Sequence, residues 1–259
     1  MQSGEVVLLL SAGVAGGIVN ALAGGATLIT FPAMLAAGLP AVTANASNAV
    51  AISPGHLLAA LADRQKLPSP DRRVVIYVLV ALLGGLAGAL VLLWLPERLF
   101  IRPVPVLIGF ATLLFALAPR LQRHRRETNA VAPLGPSAMA VAAACLYGGF
   151  FGAGLGVILT AALSITEDGD IRTVKALKNL LGTCVAAAAT ATFTCQGAVR
   201  WPETATMLAG AMAGGYLGGH LIRVLPATVV RSIVVAGGIV LTVLYADRFW
   251  FSAAGPAGQ

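Results

Sequence analysis

Long apolar runs dominate the chain, and short polar stretches divide them into segments at 5–37, 41–62, 73–95, 99–118, 134–165, 171–198, 202–223 and 228–246. Most have about the 20 residues a helix needs to cross a bilayer, which predicts a bundle of membrane helices. The first and fifth are too long for a single crossing, and both are interrupted by glycine. In AGGIVNALAGGATLITFPAML (15–35) the breakers are Gly16, Gly17, Gly24, Gly25 and Pro32. Glycine costs roughly 1 kcal/mol and proline roughly 3 kcal/mol in a helix interior. The pattern therefore predicts a full span over 5–22, a break at Gly24-Gly25 and a half-helix over 26–37. The uncharged connection 37–41 then returns at membrane depth, where irregular backbone persists only when buried in protein or lining a wet cavity. The fifth segment repeats the plan with a span over 134–151, a break at Gly152, Gly154 and Gly156, and a short run to Ile165.

The two halves align at a constant offset of 130 residues. Gly24 meets Gly154 and Thr30 meets Thr160. Gly84, Gly85 and Gly88 meet Gly214, Gly215 and Gly218, and Leu95-Pro96 meets Leu225-Pro226. Residues 1–118 and 134–259 are thus expected to be two transmembrane repeats joined by a basic cytoplasmic linker, 119–133. Loop charge orients them. The basic loop Arg64, Lys66, Arg72 and Arg73 has only Arg200 as its counterpart. Conversely, Arg172, Lys175 and Lys178 follow a segment whose first-half equivalent is followed by no base. Under the positive-inside rule these are halves of opposite orientation. Counting each broken segment as two crossings gives ten spans, places 13 of the 17 basic residues on one face, and leaves both termini outside the cytoplasm.

Composition agrees. The chain is 58% hydrophobic and 10% charged with mean hydropathy +0.88, far below the roughly 25% charge of soluble domains. The net charge of +7 sits in interhelical loops without a nucleic-acid motif, so the expected partners are the bilayer and small anions, not nucleic acid. A homo-oligomer is compatible with this composition. The expected fold is all-α: a polytopic bundle of two inverted repeats with glycine-broken hairpins. No base precedes Arg64, so residues 5–22 are expected to be a retained span and not a leader. Cys145, Cys184 and Cys195 lie in apolar segments without metal spacing and are expected to pack. No metal or cofactor is expected, and no GxxxxGK[ST] sequence is present for ATP hydrolysis.

Candidate chemistry gathers at the breaks. A half-helix beginning at glycine offers unpaired N–H groups and the positive end of a dipole, and glycine lets an anion approach the backbone. Two such ends meeting from opposed repeats form the recurring binding plan of secondary transporters. Gly13/Gly17, Gly84/Gly88 and Gly214/Gly218 fit instead as close helix contacts. Downstream of the first break, TANASN places Asn45, Ser47 and Asn48 in an apolar segment. Its counterpart TVKALKN brings Lys175, Lys178 and Asn179. Polar groups at that depth face a cavity or a partner, whereas capping for Asn45 and snorkelling for the lysines are the bland alternatives. The carboxylates all lie in loops or near segment ends, so no proton relay is apparent, and an anion leaving an inside-negative cell needs none: the potential supplies about 2.3 kcal/mol per charge per 100 mV. His56 and His220 accompany no catalytic motif and are expected to pack or hydrogen-bond at helix ends, so no enzyme activity is expected. The tryptophans and Tyr147 are expected in interfacial belts or in packing.

The run Phe31-Pro32-Ala33-Met34-Leu35, then ANASNAVAI (44–52), with GLGVILTAAL (154–163) and KALKNLLGT (175–183) in the second half, resembles the TauE/SafE sulfite-exporter family. The resemblance covers nearly the whole chain; some members carry Thr at the place of Ser47, which keeps the hydroxyl. It implies a multi-pass inner-membrane transporter that moves sulfite, an organosulfonate or a related anion, often outward. A channel, or a carrier of a non-sulfur organic anion, remains the alternative. The anion is expected between Gly24-Gly25 and Gly152, Gly154 and Gly156, bordered by Asn45, Ser47, Asn48, Lys175, Lys178 and Asn179.

Overall fold

The computed structural model describes residues 1–124, 134–166, 171–221 and 226–251. Among the described residues the chain is helical, without strands. The first half holds α1 (Ser3–Ala23), α2 (Thr27–Ala36), α3 (Ala41–Ala62), α4 (Arg72–Trp94), the short α5 (Glu97–Ile101) and α6 (Val104–His124). The second holds α7 (Leu134–Phe150), α8 (Leu155–Thr166), α9 (Ile171–Cys195), α10 (Trp201–Leu221) and α11 (Ala227–Ala246). α6 continues to His124, so the start of the expected linker is helical. Residues 125–133 lie outside the described residues, as do Glu167, Asp168, Asp170 and Arg223.

The expected interruptions are present. α2 and α8 have ten and twelve residues, which at 1.5 Å rise reach about 15 and 18 Å, roughly half of a hydrocarbon core. Pro32 is accommodated inside α2, where its carbonyl accepts a hydrogen bond from the Tyr245 hydroxyl at 3.0 Å. α2 ends at Ala36 and the chain turns through Gly38, whose φ of +87° is a left-handed conformation that favours glycine. α3 then starts without a side-chain cap from its own residues. The Glu97 carboxylate, carried in from α5, accepts from the backbone N–H groups of Ala41 and Val42. Two orphan donors at a part-buried helix start are thereby satisfied by a residue more than fifty positions away.

The main helix pairings are preserved when the two halves are exchanged. α1 lies on α10 as α7 lies on α4, and α4 crosses α9 as α10 crosses α3. α2 rests on α3 and α11 as α8 rests on α9 and α6. The pairs α3–α9 and α6–α11 each join an element to its own counterpart. Glycine makes the two long pairings possible. A Cβ at Gly13 or Gly17 would run into the α10 backbone near Met207 and Ala211, one at Gly214 into Val14, and one at Gly88 into Leu146. Backbone thus meets backbone, the close approach that holds helices together where lipid removes the hydrophobic drive.

The outer surface is apolar. α4 exposes Val75, Leu79, Leu83 and Leu86, and α11 exposes Ile233, Val240, Val243 and Leu244, at helical spacing. Among the described residues, four helices are long and apolar enough to cross a membrane: Ser3–Leu22, Arg72–Trp94, Arg172–Cys195 and Thr228–Phe251. Apolar stripes on helices of that length, with backbone polar groups paired internally, suit hydrocarbon. Inside, α3 and α9 form the central pair, and polar residues are buried where α2 and α8 point at them.

Candidate functional site

Each break has a definite local cause. α1 stops because Gly24 turns left-handed, with φ +74°, and its N–H donates to Val19 O and Asn20 O at 3.1 Å. In the second half Gly152 (φ +77°) makes the corresponding bond to Tyr147 O at 3.2 Å, and Gly154 (φ +79°) turns the chain into α8. One left-handed glycine in the first half therefore has two counterparts in the second. Among the described residues, the N–H groups of Gly25, Ala26 and Thr27 on one side, and of Ala153, Gly154 and Gly156 on the other, have no backbone acceptor. α6 backs both breaks, with the Phe115 ring against Gly25 and Leu114 against Gly154. The Phe31 ring of α2 meets Phe151 edge-on at 5.3 Å and ties the first hairpin to the second.

The two breaks open on one cavity of about 80 Å³, room for several waters or one small anion. Gly24 to Thr27 form one wall and Gly152, Gly154, Leu155 and Gly156 the opposite one. α3 contributes Ile52, Gly55 and His56; α9 contributes Lys178, Asn179 and Gly182; Asn20 closes the α1 side. Gly156 leaves room for Lys178, whose Nζ would stand 4.0 Å from a Cβ at that position. Asn179 is 8% exposed, and its amide nitrogen donates to Asp63 Oδ2 at 2.6 Å. The wall thus carries two half-helix N-termini, an ammonium, an amide and an imidazole: a donor-rich lining with positive potential, suited to an oxyanion.

A second cavity, of about 30 Å³, adjoins the first. Thr27, Ile52, His56, Gly152, Leu155 and Gly182 line both. Its own wall includes Asn45 and Asn48 and the last turn of α7 at Gly148 and Gly149.

Residues 9–245 match the family described as sulfite exporter TauE/SafE. The chain belongs to that family. Curated relatives of this TauE/SafE chain bear transporter names. A probable membrane transporter protein of Haemophilus influenzae is 26% identical over 95% of this chain and 96% of its own. The probable membrane transporter protein YfcA of Escherichia coli K12 is 24% identical over 87% and 84%. The probable membrane transporter protein ORF9 of a Sinorhizobium species is 26% identical over 90% and 92%. No solved structure matches. The protein is therefore a membrane transporter of the TauE/SafE family.

The residues singled out from the glycine breaks and the polar stretches after them fall into three groups. Gly24, Gly25, Gly152, Gly154, Gly156, Lys178 and Asn179 line the larger cavity. Asn45 and Asn48 line the smaller one. Ser47 and Lys175 lie on neither. The Ser47 hydroxyl accepts from the Arg200 N–H at 3.0 Å, and the Lys175 side chain is 64% exposed, with its ammonium 3.5 Å from Asp63. His56, expected to pack or hydrogen-bond at a helix end, lies on the wall of both cavities, and Asn20 joins it on the larger and Thr27 on both. A sequence signal for His56 exists. Asn45, Asn48, Ile52, His56 and Ala59 recur at three- and four-residue spacing and so share one face of α3. Tyr147 packs internally, its hydroxyl donating to Ala153 O at 2.8 Å, whereas Trp94 and Trp201 are exposed. Cys145, Cys184 and Cys195 are free thiols.

Proposed function

We propose that this TauE/SafE transporter carries a small sulfur oxyanion, sulfite or an organosulfonate, outward across the inner membrane, and that the anion binds in the cavity between the two breaks. The observation that carries this is the convergence of the α2 and α8 N-termini on one polar cavity beside Lys178 and Asn179. An oxyanion needs several N–H donors and a positive charge, and unpaired backbone amides with one ammonium supply them without the deep trap a cluster of arginines would make. The orientation of the halves belongs to the same proposal. Opposed repeats bring two half-helix starts to the midplane from opposite faces, and rocking of one repeat against the other exposes the cavity alternately.

The test is binding and flux with two lysine variants. Lys178→Met is expected to weaken sulfite binding to the purified protein by about tenfold or more, the cost of losing a charge-assisted hydrogen bond. Lys175→Met is expected to change it by less than about threefold, because an exposed ion pair contributes little. Equal effects of the two would place the anion elsewhere. Binding of carboxylates but no sulfur oxyanion would replace the substrate class, and single-channel currents would replace the carrier with a channel.

A further inference from the structure

The smaller cavity shares the starts of α2 and α8 with the larger one, and it adds acceptors that the larger one lacks. Asn45 and Asn48 are 2% and 1% exposed, and the Oδ1 of each is buried without a hydrogen-bond partner. The Asn45 amide is oriented by its nitrogen, which donates to Phe150 O at 2.8 Å, so its oxygen is the atom left over. The two asparagines are three residues apart on α3 and line the same cavity. Opposite them, Gly148 and Gly149 belong to the final turn of α7, where carbonyls lack helical partners and the dipole is negative. Thr27 adds a hydroxyl, and no carboxylate or base other than His56 lines the wall. A buried acceptor with no donor is costly, so two side by side call for an occupant that satisfies them.

From this arrangement we infer that the smaller cavity is a binding site for a monovalent hard cation, sodium, held by the Asn45 and Asn48 side-chain oxygens with Thr27 and the carbonyl end of α7. Hard cations take oxygen ligands, and helix C-terminal ends with broken backbone hold sodium in helical transporters. With no carboxylate on the wall, a divalent ion would be uncompensated. The volume, about 30 Å³, admits one ion of this size. The cation lies next to the anion cavity across the shared residues Thr27 and His56, so each ion lowers the cost of burying the other. Co-occupancy beside a bound anion gives these two oxygens a role. The site exists independently of the anion proposal, but its role in transport rests on that proposal.

The test reads sodium without substrate. The purified full-length protein is unfolded thermally at constant ionic strength, with choline replaced by sodium or by potassium. A saturable rise in Tm of several degrees by about 100 mM sodium, with a smaller rise in potassium, is the expected result. Asn48→Ala should move the sodium midpoint upward by at least about tenfold. Asn48→Asp, which keeps the oxygen and adds charge, should retain or tighten it, and it decides the matter if the alanine variant does not fold. A wild-type Tm indifferent to sodium overturns the inference and leaves an ordinary buried water at the asparagines. Stabilisation by an aminosulfonate but not by sodium, lost in the Asn48 variants, overturns it in favour of an ammonium group on the substrate. Sulfite binding is measured in parallel in choline and in sodium. Loss of the sodium response with sulfite still bound removes the cation site alone, and a sodium response without sulfite binding at either salt removes the anion site alone.

Discussion

Lys175 and Lys178 are three residues apart on α9, and their surroundings separate their roles. Lys175 sits at the solvent end of the helix, where its ammonium pairs with Asp63 at 3.5 Å in partly screened surroundings. Lys178, one turn deeper, reaches into the space left open by Gly156. Asp63 serves both neighbours, since it also accepts from Asn179 at 2.6 Å and so fastens the end of α3 to α9. Ser47 shows the same division. It is fully buried, but its hydroxyl receives the Arg200 N–H and so fixes the α9–α10 connection to α3. Ser47→Ala is therefore expected to lower stability by about 1 kcal/mol through the stranded N–H while leaving sulfite affinity within about twofold of wild type. Denaturation monitored beside binding checks this; a loss of affinity at unchanged stability would return Ser47 to the site.

At the scale of elements, the hairpins formed by α1 with α2 and by α7 with α8 depend on left-handed backbone conformations that favour glycine. Gly24 combines a left-handed φ with open space around its missing side chain. Gly24→Ala therefore meets no clash and is expected to cost only the conformational penalty, roughly 1–2 kcal/mol, seen as a lower Tm. Substitution at Gly88 is different, because its absent Cβ points at the Leu146 carbonyl and the α4–α7 pair would have to separate. The return from α2 to α3 relies on Glu97. Glu97→Gln keeps one acceptor oxygen but loses the charge that complements the α3 N-terminus, so stability should fall by about 1 kcal/mol. Thermal unfolding of the two variants against wild type measures both. If Glu97→Gln were neutral, the carboxylate would be a surface group that merely happens to lie near α3.

For the whole molecule, exchange of the halves preserves the main helix pairings, which suits a duplicated carrier with two related states. The opposed orientation proposed from loop charge predicts that both termini lie outside the cytoplasm. A reporter active only in the periplasm, fused after residue 259, is expected to be active, and a cysteine placed at residue 65 is expected to react only when the inner face is accessible. A C-terminal reporter active in the cytoplasm would reduce the breaks to single crossings and remove the inversion.

Hydrophobic runs, glycine breaks and the 130-residue offset specified most of the long helices, but not the short α5 or the bounds of α6, which runs over Val104–His124 where 99–118 was expected. α3 over 41–62 and the two half-helices follow from local rules that a single sequence carries: span length, helix breakers and loop charge. The glycines at both breaks and the pair Lys178 and Asn179 were legible for the same reason, since polar residues in apolar segments are rare enough to stand out. What tertiary structure alone decided is the direction each of these side chains faces. Ser47 and Asn48 are neighbours, yet one binds the Arg200 backbone and the other lines a cavity. Glu97 reads as a loop carboxylate until α5 carries it to α3, and His56 reads as a helix-end residue until α9 closes over it. Composition and periodicity fix which segments enter the bilayer, because that depends on each segment's own transfer energy. Which polar groups share a cavity depends on how helices distant in the chain pack, and that information appears only when they meet.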